Sequence, residues 1–237
     1  MDKKRITYVI IPFFVMFFWL FVTYWLNQVY AEENGIVGID YSYILQGFND
    51  AVPFVSWSVY PYVIAYPFWI WAFFYLGYRS KKHLYEILAL CLVTFTVCGI
   101  WYLIQQSDVQ VWRETSGLFG QTELNFTESL MMTIYNAAGP RNALPSMHCL
   151  MCWISICGVR EDKSMPKLMK GIIVFLAVAI MISTQTTKQH YIIDTIAAVA
   201  ICELAFQVLK RTKVPLVLEN FFSKINQKIG IDWNVKA

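Results

Sequence analysis

Long apolar stretches separated by shorter polar segments dominate the pattern of this chain. A helix needs about 17 to 25 mostly apolar residues to cross a bilayer. Six stretches reach or approach that length, and they predict an all-α integral membrane protein with six transmembrane helices. The six are residues 8–28, 57–76, 85–104, 144–159, 168–183 and 191–209.

The fourth stretch is short and carries Pro145 close to its start. Proline is favoured in the first turn of a helix, because its missing N–H would have no partner there. We therefore expect the fourth helix to begin at Pro145.

Basic residues are distributed unevenly between the predicted loops. Sixteen of the 19 Lys and Arg lie in the two terminal segments and in the second and fourth loops. Because Lys and Arg concentrate on the cytoplasmic side, both termini are predicted to be cytoplasmic. The long third loop, residues 105–143, is then extracytoplasmic, and Arg113, Arg141 and Lys188 are the three basic residues on that side.

The amino-acid composition excludes several classes of protein. Hydrophobic residues make up 57% of the 237 residues and charged residues only 15%, against about 25% charged residues in globular domains. A soluble enzyme, a disordered chain and a nucleic-acid-binding protein are therefore excluded. We expect one domain, residues 1–237, in the cell membrane as a multi-pass protein. The six cysteines lie within apolar stretches and are interpreted as small hydrophobic side chains.

Two of the three histidines stand at the starts of predicted helices. His148 follows Pro145 in the fourth helix, and His190 opens the sixth, so both are expected at the same depth on the extracytoplasmic side. Ionisable groups at membrane depth are costly and usually functional. Asp194 lies four residues after His190, on the same helix face. Its carboxylate could hold one imidazole nitrogen and leave the other as a nucleophile.

The three extracytoplasmic cations belong to the same segments as the histidines. Arg113 lies in the third loop, Arg141 four residues before Pro145, and Lys188 two residues before His190. Helix N-termini also favour anions, so these groups together predict a phosphate site. Other interpretations stay open, since Arg113 could be a solvated loop charge and Arg141 and Lys188 could contact lipid headgroups.

The segments around His148 and His190 resemble motifs of a known family, the type-2 phosphatidic acid phosphatase superfamily. Residues 145–148, Pro-Ser-Met-His, look like its second motif, and Ser183, His190 and Asp194 have the spacing of its third. The resemblance covers the motif region, about residues 101–205, and the six-helix layout. It implies a membrane lipid phosphatase or phosphotransferase that needs no metal or other cofactor.

The resemblance also implies roles for individual residues. His190 resembles the nucleophile that forms a phosphohistidine, Asp194 the carboxylate that orients it, and His148 the acid that protonates the leaving alcohol. Arg113 and Ser146 resemble phosphate ligands, and Ser146 could equally be a helix cap. Lys188 and Arg141 are assigned to the phosphate site from their positions alone.

Four residues depart from the commonest motifs: Gln106 stands in place of Lys, Glu114 of Pro, Met147 of Gly, and Thr184 of Arg. The resulting pattern is similar to the branch that contains the inositol phosphorylceramide synthases, which transfer the phosphoryl unit to an alcohol. The departures remove two cations from the expected site.

The expected partners are a lipid phosphate or lipid pyrophosphate substrate and the membrane lipids, with no nucleic acid and no obligate protein partner. One alternative is a catalytically inactive protein that binds or transports lipid phosphates. Another is a metal or haem protein with His148 and His190 as ligands. Bound metal or a chromophore would identify the latter.

Overall fold

The structure, a computed structural model, describes residues 3–231 and 233, and it is mostly helical (74%). The ends of the predicted 1–237 domain, together with Lys236 of the basic tail, lie outside the described residues. The helices are α1 (Lys3–Leu20), α2 (Leu26–Glu33), α3 (Gln46–Ala51), α4 (Val59–Arg79), α5 (Lys81–Ile104), α6 (Gln110–Glu114), α7 (Phe126–Ala137), α8 (Met147–Glu161), α9 (Lys167–Thr186), α10 (Ile192–Leu209) and α11 (Val214–Lys228).

Five helical spans in the described part of the chain are long and apolar enough to cross a membrane. They are Arg5–Glu33, Ser56–Arg79, Lys81–Ile104, Lys167–Thr186 and Ile192–Leu209. The prediction of a helical membrane protein is confirmed at this level. The fourth predicted span is α8, which has only 15 residues, fewer than the about 17 to 25 of a typical crossing, and it is not among these five.

The first span combines α1 and α2 through a π-helical turn, Phe21–Trp25. A π turn displaces backbone carbonyls from their normal partners. Here Asn27 Nδ2 donates to the Thr23 carbonyl at 2.6 Å and to the Gly99 carbonyl of α5 at 3.1 Å. The irregular turn is thereby bonded to a neighbouring helix.

Helix α8 lies at the centre of the bundle. Eleven of its 15 residues are buried, and it packs mainly against α9 and α10 and also against α4 and α5. The helix therefore meets other helices on most sides, which explains why its cysteines are buried.

The predicted start of α8 at Pro145 is wrong by two residues. The helix begins at Met147, and Ser146 is its N-cap, with Oγ accepting the Cys149 N–H at 3.2 Å. A serine oxygen satisfies a free N–H of the first turn, which proline cannot do. The Pro145 carbonyl instead accepts the Tyr102 hydroxyl of α5 at 2.5 Å.

The segments between helices at the histidine end are also ordered by pairing. Two short parallel strands, β1 (Ile39–Asp40) and β2 (Ser107–Asp108), lie side by side, with Ile39 opposite Ser107. Asp108 also forms an antiparallel bridge with Arg141. The first and third loops therefore meet over the starts of α8 and α10.

Candidate active site

The two histidines of the predicted site lie together. His148 is in the first turn of α8, and His190 lies two residues before α10. Their ring centroids are 6.0 Å apart, and both side chains are about 95% buried. The starts of the two helices are joined directly, because the Ser146 N–H donates to the Asp194 backbone carbonyl at 3.1 Å.

The contacts of His190 define the roles of its two nitrogens. Nδ1 lies 3.0 Å from the Ala143 carbonyl and 3.3 Å from Asp194 Oδ2. Both neighbours are acceptors, so Nδ1 carries the hydrogen and Nε2 keeps its lone pair. Burial lowers the pKa of His190 to about 3, so the imidazole is neutral at pH 7.

Asp194 is held in turn by the first turn of α10. Its Oδ2 accepts the Tyr191 N–H at 2.9 Å as well as the His190 proton. The carboxylate is 1% exposed. The imidazole is therefore oriented by a side chain that has little freedom to move.

His148 lies against aromatic rings of α4. Its ring stacks on Tyr62 at 4.4 Å between centroids and meets the edge of Trp69 at 4.9 Å. Its Nε2 atom is buried without a hydrogen-bond partner in the described structure. A buried imidazole nitrogen without a partner is costly, and a ligand at the site would supply one.

Arg113 is buried beside the histidines and connects several loop segments. Its terminal nitrogens donate to the carbonyls of Tyr135, Ala138 and Gly139, at 2.7–3.2 Å, and to Gln189 Oε1 at 2.6 Å. Burial lowers the pKa of this guanidinium. Its Nε has no partner in the described structure and is the atom that remains for a ligand.

Gln189 is a site residue that the sequence reasoning missed. Its side chain is 3% exposed, its Oε1 is bound by Arg113, and its Nε2 is buried without a partner in the described residues. Its position beside His190 was the available signal. A glutamine in a polar loop is ordinary, however, and the sequence does not show that Arg113 reaches it.

Arg141 and Lys188 are placed differently from one another. Arg141 has two buried donors, Nε and Nη1, without partners in the described structure. The Lys188 ammonium donates to the Val52 carbonyl at 2.5 Å and lies 3.6 Å from the centroid of the Trp112 ring. Burial lowers the pKa of Lys188 to about 8, although the charge of Asp50 opposes this. The amine of Lys188 is therefore held by the loops rather than by the histidine pair.

Thr184 forms the turn before His190. Its carbonyl accepts the N–H groups of Gln189 and His190 at 3.0 and 3.1 Å. Its hydroxyl lies 3.6 Å from Cys149 Sγ inside the bundle. Thr184 therefore shapes the loop and supplies no charge in place of the expected arginine.

A cavity of about 430 Å³ opens beside His148. Its walls are mostly apolar and come from one face of α1, from α4 and from the start of α8, including Phe13, Leu20, Tyr66 and Trp69. Phe13 lies in the N-terminal half of the first span. Gln28 and Glu32 lie 15 and 19 residues after it, near the C-terminal end of that span, and make this end of the cavity polar. At 1.5 Å per residue, the lining face from Phe13 to Glu32 is about 28 Å long.

No group of three or more His, Cys, Asp or Glu side chains is placed to hold a metal ion within residues 3–231 and 233. The buried groups near the histidines that lack partners are instead mainly N–H donors. Such a set fits an oxyanion.

Fold and site together define a class: a helical membrane protein with two adjacent buried histidines and unpaired N–H donors near them. A family model described as PAP2 superfamily matches residues 27–208, and the chain belongs to this superfamily. Membership supports a phosphatase-type enzyme in general. No curated protein and no solved structure matches the chain.

Proposed function

We propose that this protein is an integral membrane lipid phosphatase or phosphotransferase that acts on a phosphate or pyrophosphate headgroup through a phosphohistidine. The observation that carries the proposal is the pairing of His148 with a neutral His190 whose Nδ1 is held and whose Nε2 is free. One imidazole is then a nucleophile and the other a proton donor. Membership of the PAP2 superfamily supports the same class of reaction.

In the proposed reaction, His190 Nε2 forms a bond to phosphorus while the bond to the leaving oxygen breaks. His148 gives its proton to that oxygen, and Asp194 keeps the hydrogen of His190 Nδ1 in place. Water or an alcohol then attacks phosphorus, His148 takes up its proton, and the N–P bond breaks. In-line transfer of this kind needs positioning and charge stabilisation, and the proposed steps use no metal or other cofactor.

The phosphate oxygens are proposed to bind the donors that lack partners. These are Arg113 Nε, Arg141 Nε and Nη1, and Gln189 Nε2, together with the N-terminus of α8 at Ser146. Lys188 contributes positive charge to the site, and because only one of its three N–H donors binds the Val52 carbonyl, the others remain for a phosphate oxygen.

The cavity beside His148 supports a lipid as the leaving group. The group that His148 protonates must lie on its side of the phosphorus atom, and there the walls are apolar. A hydrocarbon chain is therefore favoured over a polar alcohol. This argument leaves the particular lipid open among phosphatidic acid, phosphatidylglycerophosphate, a polyprenyl pyrophosphate and a sphingolipid precursor.

The proposed topology has six crossings, with α8 as the fourth, both termini cytoplasmic and the site at the extracytoplasmic leaflet of the cell membrane. At 1.5 Å per residue, α8 is about 22 Å long, against a hydrocarbon core of about 30 Å. A helix that short starts below the membrane surface, which suits a site for a lipid headgroup. The basic residues of the terminal segments and of the second and fourth loops support the orientation.

The test compares His190→Ala with the unchanged protein on ³²P-labelled lipid phosphates. We expect phosphate release to fall to background and labelled phosphohistidine to disappear. His83→Ala is the matched control, since His83 lies 4.0 Å from Glu86 on α5 and outside the site, and it should retain full activity. Undiminished turnover in His190→Ala would contradict the mechanism.

Transfer and hydrolysis are separated by repeating the assay with and without an alcohol acceptor. Phosphorylated alcohol as the main product would support the branch similar to the inositol phosphorylceramide synthases. An inactive lipid-phosphate binding protein is the second candidate, because Gln106 and Thr184 bring no charge to the site. It predicts phosphate binding without any phosphohistidine in the unchanged protein.

A further inference from the structure

Two mostly buried segments lie side by side next to the histidines, residues 105–109 and 140–144. The Val109 N–H donates to the Pro140 carbonyl at 3.1 Å, and Asp108 bridges Arg141. Farther along, side chains replace backbone partners, since Ser107 Oγ accepts the Leu144 N–H at 2.7 Å. The position of residues 140–144 therefore depends on side chains of the neighbouring segment.

Gln106 makes two of these side-chain contacts, both with Asn142. Its Oε1 accepts the Asn142 backbone N–H at 2.7 Å, and its Nε2 donates to Asn142 Oδ1 at 2.8 Å. Asn142 is fully buried, has a φ of +55°, and donates from Nδ2 to the Tyr24 carbonyl at 2.9 Å. Asparagine tolerates this left-handed backbone conformation better than most residues. We call the Gln106–Asn142 pair the amide clamp.

The amide clamp holds the residue between two groups of the proposed site. Arg141, immediately before Asn142, carries two buried donors without partners. Ala143, immediately after it, supplies the carbonyl that accepts from His190 Nδ1 at 3.0 Å. A displacement of Asn142 would move both of these groups together.

We propose that Gln106 is a positioning residue, which sets Arg141 against the phosphate and the Ala143 carbonyl against His190 through its two hydrogen bonds to Asn142. The proposal rests on the proposed function. A lysine at this position could bind phosphate directly. In Gln106, by contrast, both polar atoms of the side chain already have protein partners.

The test is a series at one position, assayed as kcat and KM on a lipid phosphate in detergent micelles. Gln106→Lys introduces the cation that a direct phosphate ligand would provide, but it removes the acceptor for the Asn142 N–H. We expect kcat to fall about 10- to 100-fold, as for a small misplacement of reacting groups. Gln106→Ala should lose a similar factor.

Gln106→Glu distinguishes positioning from a merely structural role. The ionised carboxyl still accepts the Asn142 N–H but offers no donor to Asn142 Oδ1, so kcat should lie between those of the unchanged protein and Gln106→Ala. The protonated carboxyl has both an O–H donor and an acceptor, as the amide does. The activity of Gln106→Glu relative to the unchanged protein should therefore rise as the pH is lowered.

Gln110→Lys is the matched control for the change of charge. Gln110 lies in the same part of the chain, and its amide donates to Glu114 at 3.1 Å, so lysine there gains an ion pair and should leave kcat unchanged. Activity in Gln106→Lys equal to or above that of the unchanged protein would overturn the proposal. So would a Gln106→Glu protein less active than Gln106→Ala at every pH.

A failure of the proposed function has a different signature. In that case the unchanged protein itself shows no turnover and no phosphohistidine. The amide clamp is then tested by the affinity for inorganic phosphate, which Gln106→Lys should weaken at least about tenfold by displacing Arg141. Equal or tighter phosphate binding in Gln106→Lys would overturn the positioning role.

Discussion

Buried N–H donors without acceptors lie beside the histidine pair and on the neighbouring loop segment. Arg113 Nε, two nitrogens of Arg141, and Gln189 Nε2 all lack a partner in the described structure. A buried donor that is left unsatisfied costs about 1–3 kcal/mol, and native structures contain few of them. The proposed phosphate ligand, which brings oxygen acceptors, would account for these unpaired donors.

Gln189 provides a prediction at the residue scale. Gln189→Glu keeps an oxygen for Arg113 but replaces the Nε2 donor with a second oxygen, so phosphate loses one hydrogen bond and meets a negative charge. We expect kcat/KM for a lipid phosphate to fall about 10- to 100-fold, which corresponds to about 1.4–2.8 kcal/mol. Gln227→Glu on the exposed face of α11 is the control. An unchanged kcat/KM in Gln189→Glu would remove Gln189 from the phosphate site.

The histidines and the carboxylate of the site were predictable, because their chemistry appears in residue type and spacing. His190 and Asp194 needed only the helical repeat to be placed on one face. The amide clamp and Gln189 were not predictable in this way. Their importance lies in partners 36 and 76 residues away along the chain, and an amide has no charge that would single it out.

At the scale of helices, apolar length predicted five of the spans well, since it is a property of consecutive residues. Local starts and irregularities were harder to predict. Pro145 and Ser146 are both favourable residues at a helix start. The Tyr102 hydroxyl of α5, which is distant in sequence, donates to the Pro145 carbonyl just before the helix. The π turn in the first span packs against Gly99 of α5, and no local pattern shows which residue lies across from it.

Gly99 gives the prediction at this scale. A Cβ there would lie 2.8 Å from Thr23 Cβ and 3.1 Å from the Thr23 carbonyl oxygen in the π turn. Gly99→Ala should therefore destabilise the protein by about 1–3 kcal/mol through overpacking, despite the better helix propensity of alanine.

Gly171→Ala is the matched control for Gly99→Ala, because a Cβ at Gly171 in α9 meets nothing within 4 Å. It should be neutral or stabilising by up to about 1 kcal/mol. Thermal unfolding in detergent, followed by tryptophan fluorescence, measures both variants. Equal melting temperatures for Gly99→Ala and Gly171→Ala would contradict this prediction, because the π turn would then accommodate the added methyl group without a loss of stability.

At the scale of the whole molecule, the proposed orientation is tested by single introduced cysteines. All six native cysteines are buried, so they contribute little background labelling. Thr122 is exposed in the third loop, and Lys163 is exposed between α8 and α9. Each is replaced by cysteine in a separate variant. With a membrane-impermeant maleimide, Thr122→Cys should react in intact cells and Lys163→Cys only after permeabilisation. The reverse pattern would invert the topology.

The hydrogen bond from Asn142 Nδ2 to the Tyr24 carbonyl shows that residues before the matched region contact the candidate site. The superfamily match starts at residue 27, yet Tyr24 and the cavity wall at Phe13 and Leu20 precede it. A polypeptide trimmed to the matched boundaries would keep every motif residue and still lose the Tyr24 carbonyl, the backbone acceptor for Asn142. The first helical span of this protein thus contributes contacts to the candidate site and is also one of the candidate membrane spans.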